Sequence, residues 1–287
     1  MSTTLSGLDG SAIIHGLPIE QYHRGPMSST YVSKSGLDDL DRSPRHFKRM
    51  REPDAPPREE TQAQLVGNLF HCALLEPAAY ASRYPVGPAG ITRAHKDWKA
   101  FEASLSPSQT AIKPEDDLRA RLMVSGALEV PEISQLLSVG EAEISVYWTD
   151  KRTGIPCRCR PDWVHPVGDR GDILVDAKSV GDSRPNEFAR QVRSMRYHVQ
   201  DAFYSDGWEA ATGRKVLGFV FLASEVGFPH TAAAYMLDEA DLEDGRAKYR
   251  RNLDTLAECR ASGVWPGPAK EIATLPQLPN WAKEPQE

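Results

Sequence analysis

Three residues, Asp162, Asp176 and Lys178, carry the clearest chemical signal in the sequence. Asp176 and Lys178 flank Ala177 at the end of the apolar run "DILVDAKSV", and Asp162 follows Pro161 in "CRCRPDWVHP". Alternate residues of a strand point to opposite faces. Leu174, Asp176 and Lys178 therefore share one face, and Ile173, Val175 and Ala177 the other. Asp176 and Lys178 project side by side, roughly 6–7 Å apart along the strand. An ion pair alone is a poor reason for this, because desolvating two charges offsets most of their attraction. The intervening "VGDRG" is a turn signal that folds the Asp162 strand back beside Asp176. Two carboxylates next to a lysine suit a hard divalent cation. Mg²⁺ takes oxygen ligands, keeps several waters, and is typically held by one or two carboxylates plus substrate phosphate. The lysine would orient or help deprotonate an attacking water and offset phosphate charge.

The D-x-K spacing is common by chance, so the surrounding elements matter. In "TQAQLVGNLFHCALLEPAAYASRY", Leu65, Leu69, Cys72, Ala73 and Leu75 recur at helical spacing, which predicts a helix of about four turns ending near Pro77. His71 lies on it; taken alone, it reads more readily as a core histidine than as a ligand. In "YHVQDAFYSDG", Tyr197, Gln200, Asp201 and Tyr204 fall at i, i+3, i+4 and i+7 of a helix directly after the Asp176 strand. That face is either a half-buried helix with polar groups at its rim or the wall of a groove that contacts DNA. Glu143, in "EAEISVYW", would either join the cation site and its waters or serve as an edge-strand charge that blocks aggregation. Arg158 and Arg160 flank the Asp162 strand and are candidates for a phosphate contact. The basic run "DRSPRHFKRMRE", with Arg45 and Lys48, is either a solvated helix face or a second phosphate contact.

The chain has 287 residues, 40% hydrophobic and 26% charged, the composition of an ordinary globular protein. A net charge of −6 argues against a nucleic-acid coat protein but allows an enzyme with positive charge concentrated in one groove. The sequence has no apolar run long enough for a membrane span and no secretory start. Its four cysteines, Cys72, Cys157, Cys159 and Cys259, read as reduced thiols of a cytoplasmic protein. The C-x-C pair lacks the spacing and partners of a zinc site, and packing is the expected role of Cys157 and Cys159.

Residues 1–20 read as a flexible N-terminus, 21–262 as one domain and 263–287 as a Pro-rich tail, extended or disordered. "VSKSGLDDLDRSPRHFKRM" reads as a short helix capped by Ser35, a break at Pro44 and a basic second helix. Polar helices follow, with a break at Pro131. Then "EAEISVYWTD", "IPCRCRPDWVHP" and "DILVDAKSV" read as three strands of an antiparallel meander. A long helix closed by Gly213, two strands and a final helix complete an α/β fold with a central mixed sheet flanked by helices.

"GNLFHCALLEP", "CRCRPD", "DAKS" and "YHVQDAFYSDG", in this order, resemble the nuclease domain of exonuclease VIII (RecE) and its phage relatives. That family lies in the PD-(D/E)XK superfamily, with lambda exonuclease and the RecB nuclease domain. "MSSTYVSKSGLDDLDRSPRHFKRM" is similar to the start of the same domain, so the resemblance covers about residues 20–262. It implies a restriction-endonuclease-like core with an N-terminal helical part. It implies that His71, Asp162, Asp176 and the Ala177 carbonyl hold Mg²⁺, or Mn²⁺ in its place. It further implies that Lys178 is catalytic, that Tyr197 and Gln200 organise the site, and that Arg158, Arg160, Arg45, Lys48 and Tyr204 contact DNA. The second acid is Asp where many members of the superfamily have Glu, a variation that RecE-like proteins tolerate. The long N-terminal extension of bacterial RecE is absent from this sequence, as expected of a stand-alone phage or prophage nuclease. The implied activity is digestion of linear duplex DNA, 5′→3′, leaving a 3′ single strand for recombination. The implied partners are double-stranded DNA ends, copies of the same chain in a trimeric or tetrameric ring, and a single-strand annealing recombinase. Two other readings use the same residues: a structure-specific endonuclease, and a non-catalytic DNA-binding protein of nuclease-like fold.

Overall fold

The computed structural model describes residues 3–7, 10–56 and 60–269. Two strands, β1 (Thr3–Ser6) and β2 (Ala12–His15), precede a helical stretch: α1 (Ile19–Arg24), α2 (Lys34–Arg42), α3 (Pro44–Arg49), α4 (Gln62–Leu75), α5 (Pro77–Arg83), α6 (Lys96–Ala103), α7 (Pro114–Leu128) and α8 (Pro131–Leu137). Then come β3 (Glu141–Ala142), β4 (Ser145–Thr149), β5 (Pro156–Cys159), β6 (Trp163–Pro166) and β7 (Asp172–Val180). The chain continues through α9 (Pro185–Ser194), α10 (Tyr197–Thr212), β8 (Val216–Glu225), β9 (Ala232–Tyr235) and α11 (Glu239–Ser262).

The central sheet has the order β3-β6-β7-β8-β9. It is mixed: β7 runs parallel to β8, and its other pairings are antiparallel. The parallel pair needs a crossover, which α9 and α10 supply. Both faces of β7 and β8 are covered, which explains why their sequences are nearly continuous apolar runs. Leu174, Val180, Phe219 and Phe221 face a core shared with α2, α9, α10 and α11. Val175, Ala177, Val220 and Leu222 face a second core built with Val66 and Phe70 of α4 and Met123 of α7. Cys157 and Cys159 are fully buried in the first core, the packing role expected of them.

The three-strand meander needs correcting. The "EAEISVYWTD" segment is two strands in two sheets, broken at Glu143, whose φ is 60°. Its partner segment breaks at Arg160–Asp162, where Pro161 has no N–H to offer a ladder. Through the bend the ribbon stays joined by a backbone hydrogen bond, Glu143 N–H to the Asp162 carbonyl at 3.0 Å. The N-terminus also differs from a flexible lead: β1 pairs with β2, and Ala12–Ile14 of β2 pair with β4, in a sheet of order β1-β2-β4-β5. The expected long helix is two, divided at Arg196, whose φ of 56° is left-handed. At α2 the N-cap position belongs to Ser33, not Ser35, and the two hydroxyls bond each other at 3.0 Å. Trp265 stacks on Phe47, so the chain after α11 lies against α3; the Pro-rich tail from residue 270 falls outside the described residues. No described helix is long and apolar enough to cross a membrane.

Candidate metal and catalytic centre

The site forms where α4, the bent ribbon, the end of β7 and the start of α10 meet. α4 begins with a capping box: Gln64 N–H donates to Thr61 Oγ1, and Thr61 N–H to Gln64 Oε1 at 2.8 Å. Its apolar residues split between two cores, which fixes its roll and turns His71 toward β7. Gly67 allows the close approach, because a Cβ there would lie 3.2 Å from Ser179 Oγ. His71 Nε2 lies 2.6 Å from the Ala177 carbonyl oxygen, and Nδ1 lies 3.3 Å from Asp162 Oδ2. The Ala177 N–H donates to that same Asp162 oxygen at 2.8 Å.

Asp176 is 2% exposed. The Gln200 amide donates to its Oδ1, and the Lys178 ammonium pairs with Oδ2, which has no well-directed hydrogen bond of its own. Lys178 also donates to Gln200 Oε1 at 3.1 Å and lies 4.6 Å from the centre of the Tyr197 ring. Tyr197 is held by stacking on Phe221, and its hydroxyl accepts from Gln191 at 3.2 Å. Thus Asp162, Asp176, Lys178, Gln200, Tyr197 and His71 converge. Tyr204 joins them from the next turn of α10, on the wall of a pocket of about 330 Å³ that His71, Glu143, Arg160 and Asp162 also line.

Burial and the neighbouring Asp176 push the Asp162 carboxyl well above its ordinary range. Burial, then Asp162, pushes Glu143 up to about 7. Burial pulls the His71 imidazole down, leaving it neutral with a lone pair to give. Burial opposes the charge on Lys178, but Asp176 and Asp162 overrule it and raise the ammonium. An excess of carboxylate beside a neutral imidazole and a carbonyl oxygen fits a hard divalent cation. Among the described residues, His71, Glu143 and Asp162 have ligand atoms within 4.8 Å of one another. The group thus includes Glu143 and not Asp176, which Gln200 and Lys178 hold back.

The arginines and lysine divide. Arg160 lines the pocket but is engaged: Nε donates to Glu143, and one terminal nitrogen lies 3.4 Å from Ser145 Oγ. Arg158 is 6% exposed, lies 4.5 Å over the Tyr22 ring and donates to the Tyr22 carbonyl, so it is not presented to a phosphate. Arg45 and Lys48 are exposed on α3 and do not line the pocket; Lys48 lies over Trp265. Sequence reasoning missed Tyr22 and His23 of α1 and Asn68 of α4, which line the pocket. Asn68, on the turn before His71, had a helical-spacing signal; Tyr22 and His23 had none.

A mixed sheet whose adjacent strands bring Pro161-Asp162 and Asp176-Ala177-Lys178 together defines a fold of the PD-(D/E)XK type. Residues 33–277 match the family described as "PDDEXK-like domain of unknown function (DUF3799)", and the chain belongs to that family. A solved Eubacterium rectale structure, named a "putative exonuclease", is similar at 13% identity and a TM-score of 0.62, covering 91% of this chain and 96% of its own. That likeness is one of fold. The crystal structure of SSO0001, at 14% identity over 78% of this chain and 83% of its own, has a TM-score of 0.30 and bears on nothing further. No curated protein matches the chain.

Proposed function

We propose that this protein is a divalent-metal-dependent nuclease of the RecE-like kind that degrades linear duplex DNA from its ends. The observation that carries the reading is the convergence of Asp162, Asp176 and Lys178 on one centre, with His71 and Gln200 fixing their partners. His71, Asp162 and the Ala177 carbonyl would hold the ion, with Asp176 joining as Gln200 and Lys178 yield. The bound ion would supply Lewis-acid polarisation of the phosphoryl oxygen and a more acidic water. Lys178, paired with Asp176 and donating to Gln200, is placed to orient the attacking water and offset phosphate charge. Gln200 bridges the Lys178 and Asp176 side chains, accepting from one and donating to the other, and the Tyr197 ring packs against the ammonium.

The experiment is digestion of end-labelled linear duplex with Mg²⁺ beside a covalently closed circle. Shortening of the linear DNA alone, with the 5′ label released first, supports 5′→3′ end-dependent digestion. Linearisation of the circle makes it an endonuclease, and binding without cleavage of either makes it a nuclease-like binding protein. The RecE-like reading also entails a ring of chains and an annealing partner. Molar mass in solution checks the first, and capture of a recombinase by the purified protein checks the second.

A further inference from the structure

We infer that Glu143 is a metal ligand, completing with His71 and Asp162 a cation position on the pocket side of the centre. The inference rests on the metal-dependent reading above and extends it to a residue with no place in the P-D…D-x-K pattern.

Three observations point to it. First, the donor atoms of His71, Glu143 and Asp162 all lie within 4.8 Å of one another. Donors about 2.1 Å from an octahedral ion lie about 3 Å apart when adjacent and about 4 Å apart when opposite. A small side-chain rotation therefore closes this set on Mg²⁺ or Mn²⁺. Second, all three side chains line the same cavity, with Asn68, so solvent and a phosphate can reach the ion. Asp176 does not line it, and its two oxygens are occupied by Gln200 and Lys178. Third, three carboxyl groups, Glu143, Asp162 and Asp176, gather around two basic side chains, Arg160 and Lys178, and a bound cation would supply the missing counter-charge.

The backbone explains how a residue three strands from the lysine arrives here. Glu143 sits at the bend of the ribbon, tied to the Asp162 carbonyl by its own N–H at 3.0 Å. Arg160 takes Oε2 of Glu143 and leaves Oε1 for an ion. The arginine is a positioning residue: it holds the carboxylate in the pocket wall without touching the cation.

The test is direct Mn²⁺ binding to the full chain, followed by electron paramagnetic resonance and calorimetry on wild type, Glu143→Gln and Glu143→Asp. The expected result is at least a tenfold loss of Mn²⁺ affinity in Glu143→Gln and a smaller loss in Glu143→Asp, which keeps a carboxylate. Unfolding midpoints without metal should fall in Glu143→Gln, because the buried Arg160 loses its charged partner, and fall less in Glu143→Asp. Wild-type affinity in Glu143→Gln overturns the proposal, as does a wild type that binds no Mn²⁺. If Glu143→Gln does not fold, wild-type affinity in Glu143→Asp overturns it and a reduced affinity supports it. A wild type that binds Mn²⁺ through Glu143 and cuts no DNA sinks the nuclease reading and leaves this one standing.

Discussion

The Ala177 N–H donates to Asp162 Oδ2 at 2.8 Å. This one bond couples the two halves of the motif at the residue between Asp176 and Lys178. The Ala177 carbonyl faces the same side of the strand and meets His71 Nε2 of α4 at 2.6 Å, so one residue's backbone holds both the acid and the imidazole. β7 thus presents its side chains to α10 and its backbone to Asp162 and His71. The parity of a strand alone places the acid and the lysine on one face; the backbone of the residue between them recruits the rest.

Asp176→Asn and Lys178→Ala should each lower DNA cleavage by about 10²–10³-fold or more, the usual cost of removing a preorganised charge or donor. Gln200→Ala should cost less, because it loosens both partners and removes neither. All three should keep a cooperative thermal transition, since the site lies at the edge of the two cores. Initial rates on linear duplex, with circular dichroism melts alongside, check this; a fully active Lys178→Ala would end the catalytic assignment.

Stripping the protein with a chelator should abolish cleavage, and Mg²⁺ should restore it. The same ion should raise the melting temperature, because a ligand that binds only the native state stabilises it by RT ln(1 + [L]/Kd), about 2.7 kcal/mol at a hundredfold excess over Kd. The shift should disappear in the double variant His71→Ala/Asp162→Asn, which removes two donors. Scanning calorimetry at fixed ionic strength separates this from general salt effects.

Much of the centre was legible because its signals are local. The apolar run of β7 with Asp176 and Lys178 on one face, the helical period of α4, and Gln200 with Tyr204 one turn apart are all carried by spacing. What was hidden depends on bends and on distant pairing. Glu143 and Arg196 adopt left-handed φ values that sequence rules reserve for Gly or Asn, so a ribbon read as straight and two helices read as one. Arg196 is held there by contacts no local pattern encodes: it donates to Asn252 Oδ1 at 2.8 Å and pairs with Asp41 at 3.0 Å. β2 reaches β4 across more than a hundred residues, and loop closure over that length leaves no periodic trace. Arg158 and Arg160 have the same strand parity and both lie over the Tyr22 ring, at 4.5 and 5.4 Å, but Arg158 donates to the Tyr22 carbonyl and Arg160 turns into the bend to hold Glu143.

Arg158, buried, and Lys48, exposed, should give different phenotypes. Arg158→Ala removes a guanidinium from the Tyr22 ring and a bond to the Tyr22 carbonyl, and should destabilise the protein by about 1–3 kcal/mol. Its effect on DNA affinity and on the salt dependence of binding should be negligible. Lys48→Ala, on an exposed side chain, should leave stability within about 0.5 kcal/mol of wild type. Urea unfolding and fluorescence-anisotropy titrations at several salt concentrations read both; a lower salt slope for Arg158→Ala would return that residue to the DNA interface.

Asp201 lies one residue past Gln200 and is 5% exposed. Burial pushes its carboxyl from 3.8 up to about 7, against the pull of the Ser205 hydroxyl, which donates to it at 3.2 Å. An acid that holds its proton more tightly when folded favours folding only while that proton is bound. The folded state therefore loses stability as pH rises from about 4 toward 7, and above 7 the full penalty for a buried charge is present. At about 1.4 kcal/mol per pH unit the limit is about 4 kcal/mol. Asp201→Asn keeps the shape and an acceptor for Ser205 but never ionises. It should be more stable than wild type at pH 8, by an amount that shrinks toward pH 5 and disappears near pH 4. Denaturant unfolding at pH 4.5, 6 and 8 tests this, and a variant equally destabilised at all three would mean that Asp201 is needed there as a charge.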